Sequence, residues 1–180
     1  MSSHAPQGLE VFDGVFDRTA ELVEYLDGLE RWERSEVSGS TSHTSDIRTS
    51  SSLGMPFITY ANPPLIHDFA KAVWQRMSNY ALAYAVPVYQ YEPIIFNKYE
   101  PGQRFDTHAD FFRGSDRVFS AVFYLNTPQA GGATTFVHFD YEVEAVAGRL
   151  VIFPSNYLFA HAGVAPLADV KYSAAFWARG

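Results

Sequence analysis

Two spacings of apolar residues divide the chain. In the first half they recur every three or four positions, the period of a helix with one buried face. From Asp17, read as an N-cap, "DRTAELVEYLDGLERW" aligns Leu22, Val23, Leu26 and Leu29 on one stripe. In "NPPLIHDFAKAVWQRMSNYALAYA", Asn62 is the expected cap, Pro63 suits the first turn, and Leu65, Phe69, Val73, Met77 and Tyr80 form the stripe. Between these helices, residues 35–52 hold eleven Ser or Thr in eighteen positions and read as a polar loop. From about residue 86 the period shortens. The apolar runs "VYQYEPIIFNKY", "RVFSAVFYLN", "ATTFVHF", "YEVEAV", "RLVIFP" and "KYSAAFWA" are separated by "EPGQ", "NTPQAGG" and similar turn-forming segments. Frequent strands with no helices between them predict an antiparallel sandwich or barrel.

Length and composition narrow this picture. The 180 residues fit one domain spanning 1–180, helical over about 1–85 and β over about 86–180. Aromatic residues make up 16% of the chain, which suits a β-rich interior. The formal charge of −7 gives no support to nucleic-acid binding, which needs a basic face. No apolar stretch approaches eighteen residues and the start lacks a basic segment leading into an apolar run, so the expectation is a soluble cytoplasmic protein away from membranes. There is no Cys, so any metal must sit on nitrogen and oxygen ligands.

Two His-x-Asp pairs compete as such ligands: His108 with Asp110 in "FDTHADFF", and His138 with Asp140 in "HFD". On a strand, residues two apart share a face, so spacing alone does not separate the pairs. A further nitrogen ligand would complete a two-histidine, one-carboxylate triad with open positions on the metal. His161 in "NYLFAHAGV" is the best placed candidate. His4 is near the terminus, His43 lies in the Ser-rich stretch, and His67 falls on the polar side of a helix. In "KYSAAFW", period two puts Lys171, Ser173, Ala175 and Trp177 on one face. An inward lysine requires an anionic partner, because an unpaired buried charge is costly. The alternative is a solvated lysine at the strand's mouth.

Taken together, the blocks "EPIIFNKYEPGQRFDTHAD", "RVFSAVFYLN", "GGATTF", "GRLVIF" and "HAG" with "KYSAAFW" resemble the Fe(II)/2-oxoglutarate-dependent oxygenases, within them the prolyl 4-hydroxylase-like branch. The likeness runs from about Arg48, in "RTSS", to Trp177. It implies a mainly β protein with N-terminal helices, a double-stranded β-helix (jelly roll, cupin-like). It implies iron on His108, Asp110 and His161, and places His138 and Asp140 in a surface loop. It gives Lys171 the distal carboxylate of 2-oxoglutarate, with Tyr99 and Thr134 as hydrogen-bonding helpers. Glu92, Arg117, Trp177 and Phe105 match positions that face substrate.

The implied activity is hydroxylation of an aliphatic C–H, foremost prolyl 4-hydroxylation of a peptide or protein containing proline. Fe(II), 2-oxoglutarate and dioxygen are the implied requirements, with ascorbate in a supporting role. The carboxylate of Asp110 favours hydroxylation over halogenation. Two departures concern the substrate: Phe105 stands where many prolyl hydroxylases carry a second Tyr, and Ile95 where relatives often carry Gln. They leave room for a free amino acid or other small molecule as substrate. A non-catalytic cupin-like binding module is the third reading.

Overall fold

A computed structural model of the chain describes residues 4–36, 47–57 and 62–180. In chain order its elements are β1 (Glu10–Phe12), α1 (Thr19–Asp27), β2 (Glu33–Arg34), β3 (Ser51–Met55), α2 (Pro64–Ala83), β4 (Gln90–Tyr91) and β5 (Ile94–Tyr99). There follow β6 (Phe105–His108), β7 (Arg117–Tyr124), β8 (Thr134–Phe136), β9 (Tyr141–Val143), β10 (Leu150–Pro154), β11 (His161–Gly163) and β12 (Lys171–Arg179). Among the described residues, no helix is long and apolar enough to cross a membrane.

The strands form two antiparallel sheets. The larger runs β1-β10-β7-β12-β5-β3-β2, with β4 beside β12, and the smaller runs β6-β11-β8-β9. The long strands of the larger sheet are buried on both faces, and their alternation sorts two kinds of side chain. On β12, Tyr172, Ala174, Phe176 and Ala178 join the core under α2, whereas Lys171, Ser173, Ala175 and Trp177 face the space between the sheets. On β7, Phe119, Ala121 and Phe123 go to the helix side and Tyr124 to the inter-sheet cluster with Phe136, Val151 and Phe153.

α2 covers the outer face of the larger sheet. Its Phe69, fully buried, meets the rings of Phe96, Phe123 and Phe176 at centroid distances of 5.9, 4.9 and 5.9 Å. Burying such a side chain stabilises the fold by about 1.5–3 kcal/mol, so this triple contact is a main anchor of helix on sheet.

Several sequence expectations change at their edges. Pro63 takes the N-cap of α2 in place of Asn62, whose amide donates instead to Pro56 O at 2.9 Å. Ile66, and not Leu65, fills the buried position at the helix start. In α1 the boundary residue is Arg18, with no side-chain cap at Asp17, and Gly28 ends the helix before Leu29. The division into helices first and strands after is also incomplete, because β1 pairs with β10 and β3 pairs with β5. These strands are too short, or too rich in Ser and Gly, for periodicity to betray them. Of the Ser-rich stretch, residues 37–46 (with His43) lie outside the described residues, and its end becomes β3.

Candidate metal centre and its pocket

His108 closes β6 and His161 opens β11. The two strands are antiparallel neighbours in which these residues stand directly opposite. Their rings lie 4.4 Å apart, centroid to centroid. Asp110 lies in the bend two residues beyond β6, so it reaches the site by a turn of the chain and not by the strand's pleat alone. Each of the three offers a ligand atom within 4.8 Å of the others. His108 Nε2 is 3.7 Å from Asp110 Oδ1, and His161 Nε2 is 3.9 Å from Asp110 Oδ2. Those gaps are too long for hydrogen bonds, so the three groups converge without satisfying one another.

The protonation states suit a metal. His108 Nδ1 lies 2.9 Å from Asp106 O and His161 Nδ1 lies 3.0 Å from Phe159 O. A carbonyl can only accept, so each Nδ1 carries the proton and each Nε2 turns its lone pair inward. Burial, then the neighbouring His161, pushes His108 down to about 4, which keeps it neutral. Burial raises the Asp110 carboxyl, but the two imidazoles and the Ser120 hydroxyl outweigh it and hold the group below its usual range. Two imidazoles and one carboxylate form a donor set that fits a first-row divalent ion such as Fe(II). Phe105 stacks on His108 at 3.6 Å and 15°, while Phe153 meets the His161 ring at 4.8 Å.

The pocket around the triad holds about 500 Å³ of open space, part of it continuous with solvent. Lys171 lines its far wall, opposite Tyr99 in the β12–β5 register. Only 3% of its surface is exposed, and its Nζ sits 5.1 and 5.5 Å from the ring centres of Tyr99 and Tyr124. Among the described residues no carboxylate pairs with it, and burial pushes the amine down to about 7. Tyr124 donates to Thr134 Oγ1 at 2.8 Å, which fixes the hydroxyls around this end. The stem of Lys171 is pressed by Gly132 (φ +79°), where a Cβ would come within 3.4 Å of Lys171 Cδ and 3.0 Å of Pro128 Cγ. A side chain there would be strained by conformation and by crowding alike.

The substrate-facing candidates stand at the pocket's outer lip. Arg117 donates twice to Glu92, at 2.8 and 2.7 Å, so the two engage each other. The guanidinium also lies 4.1 Å over the Trp177 ring and donates to the Asp110 carbonyl at 3.4 Å, tying the lip to the ligand-bearing bend. The indole Nε1 of Trp177 is buried with no acceptor among the described residues.

The remaining histidines lie elsewhere. His138 and Asp140 are exposed in the turn after β8, and Asp140 has φ +47°. The chain reverses there, so the strand pleat that would have put the pair on one face is absent. His67 sits on α2, 4.0 Å from Asp68, and His4 is near the N-terminus. Three polar pocket residues were given no role in the sequence: Arg48, Asn97 and Ser173. The alternation of "IIFNKY" carries the signal for Asn97, two residues from Tyr99 on the inward face of β5. Arg48 lies in a stretch without periodicity, where the sequence offers only the "RTSS" likeness, and the tertiary structure brings it to the pocket.

Comparison with known proteins agrees with this geometry. The profile of the 2OG-Fe(II) oxygenase superfamily matches residues 94–179, from β5 to the end of β12. Prolyl 4-hydroxylase 2 of Arabidopsis thaliana is 27% identical over 117 residues, which are 61% of this chain and 36% of that protein. The match thus spans little more than a third of that curated relative. Among solved structures, a Pseudomonas putida prolyl-4-hydroxylase superposes with a TM-score of 0.77 at 22% identity, covering 96% of this chain and 93% of that one. The viral collagen prolyl hydroxylase of Paramecium bursaria Chlorella virus-1, in complex with 2OG, gives 0.74 at 19% identity, covering 97% of both chains. A Trichoplax adhaerens prolyl hydroxylase bound to a peptide fragment of hypoxia inducible factor gives 0.75 at 13%, covering 96% of this chain and 83% of that one. With its triad, its buried lysine and the match across β5 to β12, the chain is similar to the 2OG-Fe(II) oxygenase superfamily and, within it, to prolyl 4-hydroxylases.

Proposed function

We propose that the chain is an Fe(II)- and 2-oxoglutarate-dependent dioxygenase that hydroxylates an aliphatic C–H, foremost the 4-position of proline in a peptide or protein. The observation that carries this reading is Lys171, a buried amine in the same pocket as the triad with no counter-ion among the described residues. A buried cation of this kind is stabilised by an anionic ligand, and a small dicarboxylate meets that need. His108, Asp110 and His161 would hold the iron, and Lys171 the distal carboxylate of 2-oxoglutarate. Tyr99 and the Tyr124–Thr134 pair would border that carboxylate with hydroxyls. The two sheets would be the halves of a jelly roll forming one domain with the helices.

When bound, iron supplies oxygen activation coupled to oxidative decarboxylation of 2-oxoglutarate. Per turnover, R–H, O2 and 2-oxoglutarate give R–OH, succinate and CO2, with one oxygen atom in each of the first two products. The chain's own contribution is positional. The Nδ1–carbonyl bonds aim both imidazoles, Phe105 and Phe153 keep water from their flanks, and Glu92, Arg117 and Trp177 form the lip that substrate crosses. Ascorbate would serve only to restore iron oxidised without productive turnover.

The test is anaerobic loading with Fe(II), then oxygen, 2-oxoglutarate and proline-rich peptides. The expected result is succinate formation together with a peptide mass gain of one oxygen, both abolished in His108→Ala. Peptide-independent inactivity of the wild type with every substrate, equal to that of the variant, would favour a binding module without catalysis. A second reading keeps the iron chemistry but takes a free amino acid or other small molecule. Phe105 supports it, because the wall beside His108 is apolar where a tyrosine would offer substrate a hydroxyl.

A further inference from the structure

Arg48 is the second buried cation of the pocket. It is 9% exposed and lines both the inner cavity and the outer groove that shares Trp177 with it. Its position is built: Arg48 bridges to Phe105 across the edge of β6, and its guanidinium lies 4.8 Å from the centre of that ring, whose other face stacks on His108. Its hydrogen-bond acceptors among the described residues are all neutral: Glu36 O at 2.9 Å, Asn97 Oδ1 at 2.5 Å and Ser50 Oγ at 3.4 Å. They occupy three of its five N–H groups and supply none of the missing negative charge.

Among the described residues no nearby carboxylate supplies it either. Asp110 is the one acidic residue lining the inner pocket, and its electrostatic partners are the two imidazoles and Arg117. Glu92 at the groove is bound twice by Arg117. Glu33 and Glu36 are exposed, and neither forms an ion pair with Arg48 among the described residues. On the proposed function, Lys171 is taken by 2-oxoglutarate, which leaves Arg48 as the charge uncompensated among the described residues. Trp177, whose buried Nε1 has no acceptor among the described residues, lines the same two cavities. The junction of groove and pocket therefore presents donors and excess positive charge, above an apolar ring beside a metal ligand.

We propose that the substrate of this site carries a carboxylate close to its reacting carbon, received by Arg48 with the Trp177 indole N–H as a second donor. A neutral peptide carbonyl would satisfy the open N–H groups but not the charge, whereas a carboxylate satisfies both. This rests on the iron and 2-oxoglutarate reading and narrows its substrate to compounds bearing an acid. The acid could belong to a free imino acid, to the C-terminus of a chain ending in proline, or to an acidic side chain beside the target.

The experiment uses matched pairs differing only in that charge: L-proline and L-prolinamide, N-acetyl-L-proline and its amide, an alanine-rich peptide ending in proline and its C-terminal amide, and Pro-Glu and Pro-Gln peptides. Binding to wild-type protein loaded with Mn(II) and 2-oxoglutarate is read by calorimetry, so turnover is not needed. At least one acid should bind ten times or more tightly than its neutral partner, and the pair that does so identifies the source of the carboxylate. In Arg48→Gln the ratio should fall to about twofold or less, and Arg48→Lys should restore part of it. Thermal unfolding of both variants confirms that they fold, and the wild-type ratios stand without them. Acids and neutral partners binding alike in every pair, or no acid binding at all, would overturn the proposal. Succinate formation from Fe(II)-loaded wild type without added substrate is followed separately. Its presence alongside equal ratios leaves the oxygenase reading standing and sinks only this one.

Discussion

Lys171 is buried in the same pocket as the triad, and burial pushes its amine down to about 7. Because Lys171 is depressed from 10.5 to about 7, the unfolded chain binds a proton that the native apo protein lacks between those values. Stability contributed by this group therefore rises with pH through that window and is lowest below it. The amine that costs stability is the one proposed to hold 2-oxoglutarate. Lys171→Met should accordingly raise apo stability by about 1–3 kcal/mol, seen in denaturant unfolding at pH 7, while weakening 2-oxoglutarate at least tenfold. In the wild type, 2-oxoglutarate affinity should be flat below pH 7 and fall up to about tenfold per pH unit above it, as the amine must gain a proton to pair with the dianion. A titration that stays flat to pH 9 would remove Lys171 from that role.

At the scale of elements, the structure depends on one helix laid across one sheet. Phe69 of α2 touches three strands through Phe96, Phe123 and Phe176, so truncating it opens a cavity that no single neighbour can fill. Phe69→Ala should cost about 3–5 kcal/mol, measured as a shift in the urea midpoint with little change in slope. The apolar stripe of α2 was legible because a twenty-residue helix repeats its signal five times over. β1, β2 and β11, with two or three residues each, repeat nothing, and the chain found their place only through partners far away in sequence. Likewise β6 ends at His108, and a bend brings Asp110 round, which a strict strand reading of "THAD" does not anticipate.

Over the whole molecule, the candidate centre joins β6, the bend after it and β11, all at the smaller sheet. Metal binding to the native state alone should therefore stabilise the fold, by about 2.7 kcal/mol at a hundredfold excess over the dissociation constant. Thermal unfolding with and without Mn(II) checks this, and His161→Ala should abolish the shift. The sequence by itself determined the helical stripes, the run of β strands and a short set of metal-capable residues, because these depend on local period and residue type. It also held a specific family resemblance in five ordered blocks. Spacing did not separate the two His-x-Asp pairs; the resemblance favoured the first, and the tertiary structure supplies the physical difference between them. One lies on a paired strand end opposite His161, and the other is turned out to solvent by a reversal of the chain. It also decided that Glu92 and Arg117 hold each other, and that Arg48 and Lys171 are both buried beside the triad without a carboxylate among the described residues. Burial and the absence of a counter-charge are properties of packing between distant segments, and no spacing along the chain records them.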